Sequence, residues 1–495
     1  MVNFKPKFLR LNTVVIFSFI GLIPVLSQEK QPNFLFIVSE DNGTEMGCYG
    51  TPIQTPNFDK LADQGVLFER AYVPQAGCSP SRAAFLTGLY PHQNGQIGLA
   101  TWKYHMFNPS TPNIPTTLKL AGYTTGIIGK LHINPASAFY FDFKAIPSAN
   151  FQRKEMSQYA EEAEEFMHNA DKPFYLQVNH PDAHAPFIRE VDGLPNSPLD
   201  AEDVDALPYM GANHPRLKEM TANYYNCMMR LDTYVGDLIA ALKRTGKYEN
   251  TLIVYIGDHG ADILRGKRTS YEGGDRIPII VSWPGKKLKP IRSKELVSTI
   301  DLFPTFLEAA GLQVPEYLPG KSLLPLLHQE EVNWREFLFT EFHVHSNHNP
   351  FIQRTVCNER YKLIHNLTHG RENPGYAFTF NRLIKYGDTE ILKDADRQFK
   401  EAYELMKNPP EYELYDLEED PYEFKNLSDN ESYVDILEQL KSALLSWQKE
   451  TSDPLIDKEK AIRLFNLIQG VGTDQNPRVV VPYAAFMDPK MKFKQ

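Results

Sequence analysis

Asn33-Phe34-Leu35-Phe36-Ile37-Val38 runs straight into Ser39-Glu40-Asp41-Asn42-Gly43. Six residues without polar alternation suit a strand covered on both faces, and the acidic turn after them marks its C-terminal end. The pattern recurs. Thr55-Pro56 opens a helix over 57–64 that Gly65 stops, and 66–71 is strand-like. A helix is expected over 80–87 before Gly88, strands over 124–128 and 174–179, and a long amphipathic helix over 222–243. Leu252 to Ile256 is a further apolar strand, ending in Gly257-Asp258-His259-Gly260. Strands alternating with helices predict an α/β fold with a mainly parallel central sheet flanked by helices. In such sheets ligands bind beyond the strand ends, which is where this chain puts its acidic and histidine clusters.

Past about residue 350 the pattern changes to short strands, over 360–365 and 413–417, and then a helix over 433–450. The expected organisation is a signal peptide over 1–28, a large domain over 29–350 and a smaller C-terminal α+β domain over 351–495. The leader reading rests on Lys5, Lys7 and Arg10 ahead of an apolar run over 14–26. That run is shorter than the roughly 20 residues a bilayer core needs, so export to the periplasm or the medium is expected and a membrane anchor is not. A net charge of −10 over 495 residues argues against nucleic acid as a partner. The four cysteines (Cys48, Cys78, Cys227 and Cys357) are too few for a disulfide framework in an exported protein of this length.

The most informative stretch is Cys78-Ser79-Pro80-Ser81-Arg82, followed by Leu86-Thr87-Gly88. A cysteine at a loop-to-helix junction presents its side chain to the positive end of the helix, which favours an anionic nucleophile or a bound oxyanion. This stretch resembles the signature of the type I sulfatases. The resemblance implies an alkaline-phosphatase-like large domain. It also implies that Cys78 is oxidised to formylglycine (3-oxoalanine) by a formylglycine-generating or sulfatase-maturating enzyme, with Arg82 helping to hold it. Other elements occur in the family's order. Glu40-Asp41 stands where the family carries two aspartates, and Asp258-His259 where it carries Asp-Asn or Asp-His. With Cys78, these four are the implied ligands of one Ca2+, a hard cation suited to carboxylate oxygens. Lys130 and His132 in Gly129-Lys130-Leu131-His132, His184 in His180-Pro181-Asp182-Ala183-His184, and Lys267 match the residues that flank the sulfate.

By the family's mechanism, one hydroxyl of the hydrated aldehyde attacks sulfur and the other expels sulfate. His184 is then the expected acid for the leaving group and His132 the base, and the opposite assignment stays open. Within the family, Tyr104-His105-Met106-Phe107-Asn108 and Trp447-Gln448-Lys449-Glu450-Thr451-Ser452-Asp453-Pro454 resemble the heparan N-sulfatases, while bacterial sulfatases of algal polysaccharides such as ulvan look similar overall. The heparan branch has Arg where this chain has Lys267. The expected substrate is a sulfated polysaccharide or oligosaccharide, as O-sulfate or N-sulfamate, with His105, His343 and His345 as candidates for the sugar subsite. Phosphonate monoester and phosphodiester hydrolases share the cysteine motif and Asp-His-Gly, and form the alternative.

Overall fold

The computed structural model describes residues 1–3, 31–471 and 479–488, so the expected leader lies outside the described residues. The described residues from Gln31 onward make one compact unit. Twelve strands are described: β1 (Asn33–Ser39), β2 (Gly65–Tyr72), β3 (Thr124–Gly129), β4 (Phe143–Ala145), β5 (Phe174–His180), β6 (Thr251–Gly257), β7 (Arg276–Ser282), β8 (Ile291–Ser298), β9 (Leu338–Val344), β10 (Pro350–Cys357), β11 (Tyr361–Asn366) and β12 (Tyr412–Asp416). The first eight form one sheet in the order β4-β3-β5-β1-β6-β7-β2-β8. All its pairings are parallel except those of β7, which runs antiparallel to both β6 and β2. The remaining four form an antiparallel sheet, β12-β11-β10-β9.

Strand β1 shows why an unalternating run belongs in the centre. Leu35 and Ile37 join the core cluster that includes Leu231, Val235 and Leu238, whereas Phe34, Phe36 and Val38 join the one that includes Phe85, Phe303 and Phe306. Successive side chains point to opposite faces, so a strand with helices on both sides must be apolar at every position. The helices concerned are α1 (Pro56–Ala62), α2 (Cys78–Thr87), α3 (Gln158–Asn169), α4 (Pro215–Arg244) and α5 (Leu302–Ala309), and α6 (Val434–Glu450) packs on the second sheet. Each large aliphatic or aromatic side chain so buried contributes about 1.5–3 kcal/mol.

The boundary expected after residue 350 falls inside the four-stranded sheet, at the first residue of β10, which pairs antiparallel with β9. The second sheet therefore begins at Leu338. The long helix also starts earlier than expected, at Pro215, because His214 caps it and proline suits its first turn.

Candidate active site

The order β3-β5-β1-β6 decides the site. These four neighbours are parallel, so their C-terminal ends lie side by side and deliver Lys130, the 181–184 loop, Glu40-Asp41 and Asp258-His259 to one edge. In the β1–β6 register Ser39 faces Gly257, and the backbone N–H of Asp258 donates to the Ser39 carbonyl at 2.9 Å. The Asp41 N–H donates to Asp258 Oδ1 at 2.9 Å. The two turns approach so closely that a Cβ on Gly257 would stand 2.0 Å from the Asn42 carbonyl oxygen. Gly129 meets a similar constraint at φ +87°, with Asn179 O 2.4 Å from where its Cβ would be. Asp41 and His132 have left-handed backbones, at φ +50° and +59°. Such strain in non-glycine residues collects at functional sites.

Cys78 is the first residue of α2, with extended Gly77 before it. Its Sγ lies 3.3 Å from His259 Nε2 and 4.0 Å from Asp41 Oδ1. Burial alone would raise the thiol's pKa, but Lys130, Lys267 and His259, with His132 beside it, pull it well below its usual value. That is the environment of a reactive cysteine. Cys78 has no disulfide partner.

Arg82, one turn on, is fully buried and ties the site together. Its Nε donates to Asp258 Oδ2 at 3.0 Å, and Nη1 donates to the Lys130 carbonyl at 3.1 Å and to Asn179 Oδ1 at 2.8 Å. Lys130 Nζ is paired with Glu40 at 2.5 Å, and Lys267 Nζ donates to both Asp41 oxygens at 2.9 and 3.0 Å. Despite these cations and nearby histidines, burial keeps the Asp41 carboxyl above its ordinary pKa. For Asp258, His259 and Arg82 outweigh burial and the carboxyl is pulled down. His259 is likewise pushed up against burial, to about 9, chiefly by Asp258.

His184 keeps 18% of its side chain exposed, with Nε2 3.9 Å from Asp41 Oδ2. Its Nδ1 lies 2.6 Å from the Ala185 carbonyl, so the proton there is committed and Nε2 faces the site. Burial lowers its pKa, but Asp41 more than reverses this. His132 is the opposite case: burial lowers its pKa by more than its contact with the Cys78 thiol raises it. Cys78, Lys130, His132, His184, Lys267 and His345 line one cavity of 640 Å³. His345 is partly buried, and burial pushes its pKa down to about 3 against the opposing effect of its contact with Cys78.

The other two histidines expected at the sugar subsite do not line this cavity. His343 corrects the expectation: it is fully buried, with Nδ1 3.0 Å from Gln75 Oε1 and Nε2 accepting from Arg354 at 3.1 Å. Both ring nitrogens are occupied by the interior. His105 packs against Tyr483, with Nδ1 2.9 Å from the Met106 carbonyl.

Three residues escaped the sequence reading. Arg153 and Arg230 clamp Asp182, with Arg153 Nε 2.9 Å and Arg230 Nε 2.8 Å from its oxygens, and Arg153 also donates to the His184 carbonyl. Phe151 stacks on the His184 ring at 4.0 Å between centroids and lies under Lys130 Nζ at 5.2 Å. Nothing in the sequence around Phe151 or Arg153 signals these contacts, which join distant segments.

The buried carboxylate, thiol and imidazole groups around Cys78 are close enough together to hold a metal ion. Donor atoms of Glu40, Asp41, Cys78 and His184 lie within 4.8 Å of one another, as do those of Cys78, Asp258 and His259. Both Asp41 oxygens accept from Lys267 and Glu40 accepts from Lys130, so a cation bound here would share these carboxylates with the two lysines.

Comparison with known proteins places this geometry. Residues 32–312 match the Sulfatase family, and residues 257–374 match the family described as N-sulphoglucosamine sulphohydrolase, C-terminal. The N-sulphoglucosamine sulphohydrolase of Homo sapiens is 30% identical over 481 residues, covering 88% of this chain and 93% of the human protein. An ulvan-active sulfatase of Formosa agariphila is 30% identical over 474 residues, covering 92% of this chain and 88% of that protein. Among solved structures, a protein in complex with its substrate D-glucosamine-2-N,6-O-disulfate shares the fold with a TM-score of 0.63 and 22% identity, over 86% of this chain and 98% of that one.

Proposed function

The chain belongs to the sulfatase family of hydrolases, and from that premise we propose that it removes sulfate groups from a sulfated polysaccharide or oligosaccharide with Cys78, oxidised to formylglycine, as nucleophile. The observation that carries the reading is the seat of Cys78: the first residue of a helix, between the carboxylates of Asp41 and Asp258 and a ring of Lys130, Lys267 and His259. When formed, the aldehyde supplies as its hydrate two hydroxyls on one carbon, one to take the sulfuryl group and one to release it. Asp41 and Asp258, with Glu40, His259 and residue 78, would hold a calcium ion, which would supply Lewis-acid neutralisation of the sulfate oxygens.

The chain's own groups do the rest. Lys130 and Lys267 present fixed positive charge to the sulfate oxygens in a site shielded from water. Arg82 fixes Asp258, the Lys130 carbonyl and Asn179 together, so residue 78 is held in register with the ligands. His184 gives a proton from Nε2 to the departing sugar oxygen or nitrogen, and His132, which burial favours in its neutral form beside residue 78, takes one up as sulfate leaves. Relatives named for N-sulphoglucosamine and for ulvan support O-sulfate or N-sulfamate substrates from glycosaminoglycan or algal polymers. We place the enzyme in polysaccharide degradation outside the cytoplasm, on the strength of the basic and apolar leader. Among the described residues no helix is long and apolar enough to cross a membrane.

The test is direct. Protein made in a host with a maturating enzyme should yield a Cys78 peptide lighter by the difference between thiol and aldehyde. It should turn over an aryl sulfate far faster than an aryl phosphodiester, and Cys78→Ala should abolish both activities while leaving the fold intact. An unmodified thiol in active protein, or preference for the phosphodiester, would overturn the proposal.

A further inference from the structure

The 640 Å³ cavity holds more than a sulfate group, and its walls say what the rest of the substrate is like. Beyond Cys78, the two lysines and the three histidines its wall is mainly apolar, with Leu99, Leu131, Ile133, Ala149 and Phe151, and its polar members there are Thr101 and Asn134. Among the described residues, no arginine and no lysine other than Lys130 and Lys267 lines it. Both lysines are already engaged, Lys130 with Glu40 and Lys267 with Asp41. Asn134, also in the wall, commits its amide N–H groups to the carbonyls of Ala100 and Tyr104 at 2.8 and 3.0 Å. What it has left to offer is a carbonyl oxygen, which accepts from a hydroxyl and opposes a carboxylate or sulfate.

We propose that the sugar ring bearing the scissile sulfate carries no second anionic group. The cavity then selects a singly charged ring whose remaining substituents are hydroxyl, amide or apolar. This rests on the sulfatase reading and narrows it. A second sulfate or a ring carboxylate would leave water for an apolar wall without a counter-ion, the costly way to bury a charge. Discrimination arises because no cation lines the cavity beyond the groups that act on the scissile sulfate.

The experiment compares kcat/KM for a panel of monosulfated monosaccharide glycosides with matched rings carrying an added sulfate or a uronic carboxylate. The doubly charged member of each productive pair should be slower by about 100-fold or more. Ala149→Arg should narrow that ratio at least tenfold, and Ala149→Glu should widen it. Doubly charged rings turned over within threefold of their partners, or the two Ala149 variants moving the ratio in the same direction, would overturn the inference and leave the sulfatase reading intact. No turnover of any sulfated sugar by protein with a converted Cys78 would remove the sulfatase reading itself, and this inference with it.

Discussion

Glu341→Gln tests how a buried ion network braces the site from behind. Glu341, on β9, is fully buried and accepts the His92 backbone N–H at 2.8 Å on Oε1. Its Oε2 lies 2.6 Å from His92 Nδ1 and 3.6 Å from Arg354 Nε, and Arg354 in turn holds Asp453 at 2.7 and 2.8 Å. Burial would raise the Glu341 pKa, but His92 and Arg354 outweigh it and pull the value from 4.5 down to about 2. At 1.36 kcal/mol per unit this amounts to about 3 kcal/mol of stability at neutral pH. Because the folded-state pKa is depressed, that stability is complete above the unfolded value near 4.5 and is lost as pH falls towards 2. Glutamine keeps the shape and cannot carry the charge. Urea unfolding of both proteins at pH 7, 5, 4 and 3 should therefore show a gap of about 3 kcal/mol that holds to pH 5 and then closes. Carboxylates outside this network titrate alike in both proteins and cancel in the difference. A gap that stays the same from pH 7 to pH 3, or one below about 1 kcal/mol throughout, would refute the electrostatic account.

Three further outcomes are expected. Lys267→Met removes a unit charge worth about 4 kcal/mol at ~4 Å and an effective dielectric near 20, so kcat/KM on an aryl sulfate should fall about 1,000-fold; a loss under tenfold would exclude Lys267 from the chemistry. Gly257→Ala forces a Cβ to within 2.0 Å of the Asn42 carbonyl, so soluble protein or at least about 3 kcal/mol of stability should be lost, as denaturant titration would show. Exhaustive chelation should abolish turnover and lower the thermal midpoint, with calcium restoring both; indifference to the chelator would remove the ion from the site.

The legible parts of this protein are those in which one short segment carries its own reason. Strands β1 and β6 are apolar throughout because helices cover both faces, and the acidic turns after them advertise the strand ends. Cys78 to Arg82 can be read because a nucleophile, a helix start and an anchoring arginine fit within five residues. Strand β7 was hidden in Arg276–Ser282, where Pro278 interrupts the ladder donors and the reversed direction leaves no local trace. The Arg153–Asp182–Arg230 clamp joins residues 29 and 48 positions apart, so no window of sequence contains it. His343 and His345 are two residues apart on one short segment. One is sealed between Gln75 and Arg354 and the other opens on the cavity, a difference set by the neighbours each side chain meets.

Glu341 also donates its backbone N–H to the Pro74 carbonyl, four residues ahead of Cys78, while β9 takes its ladder partner from β10. Trimming the gene near residue 350 would strip β9 of that partner and leave a naked edge bound to the loop that aims the nucleophile, a recipe for inclusion bodies. Chimaeras that trade tails between homologues should accordingly make their crossover ahead of Leu338, so that the whole second sheet travels as one cassette.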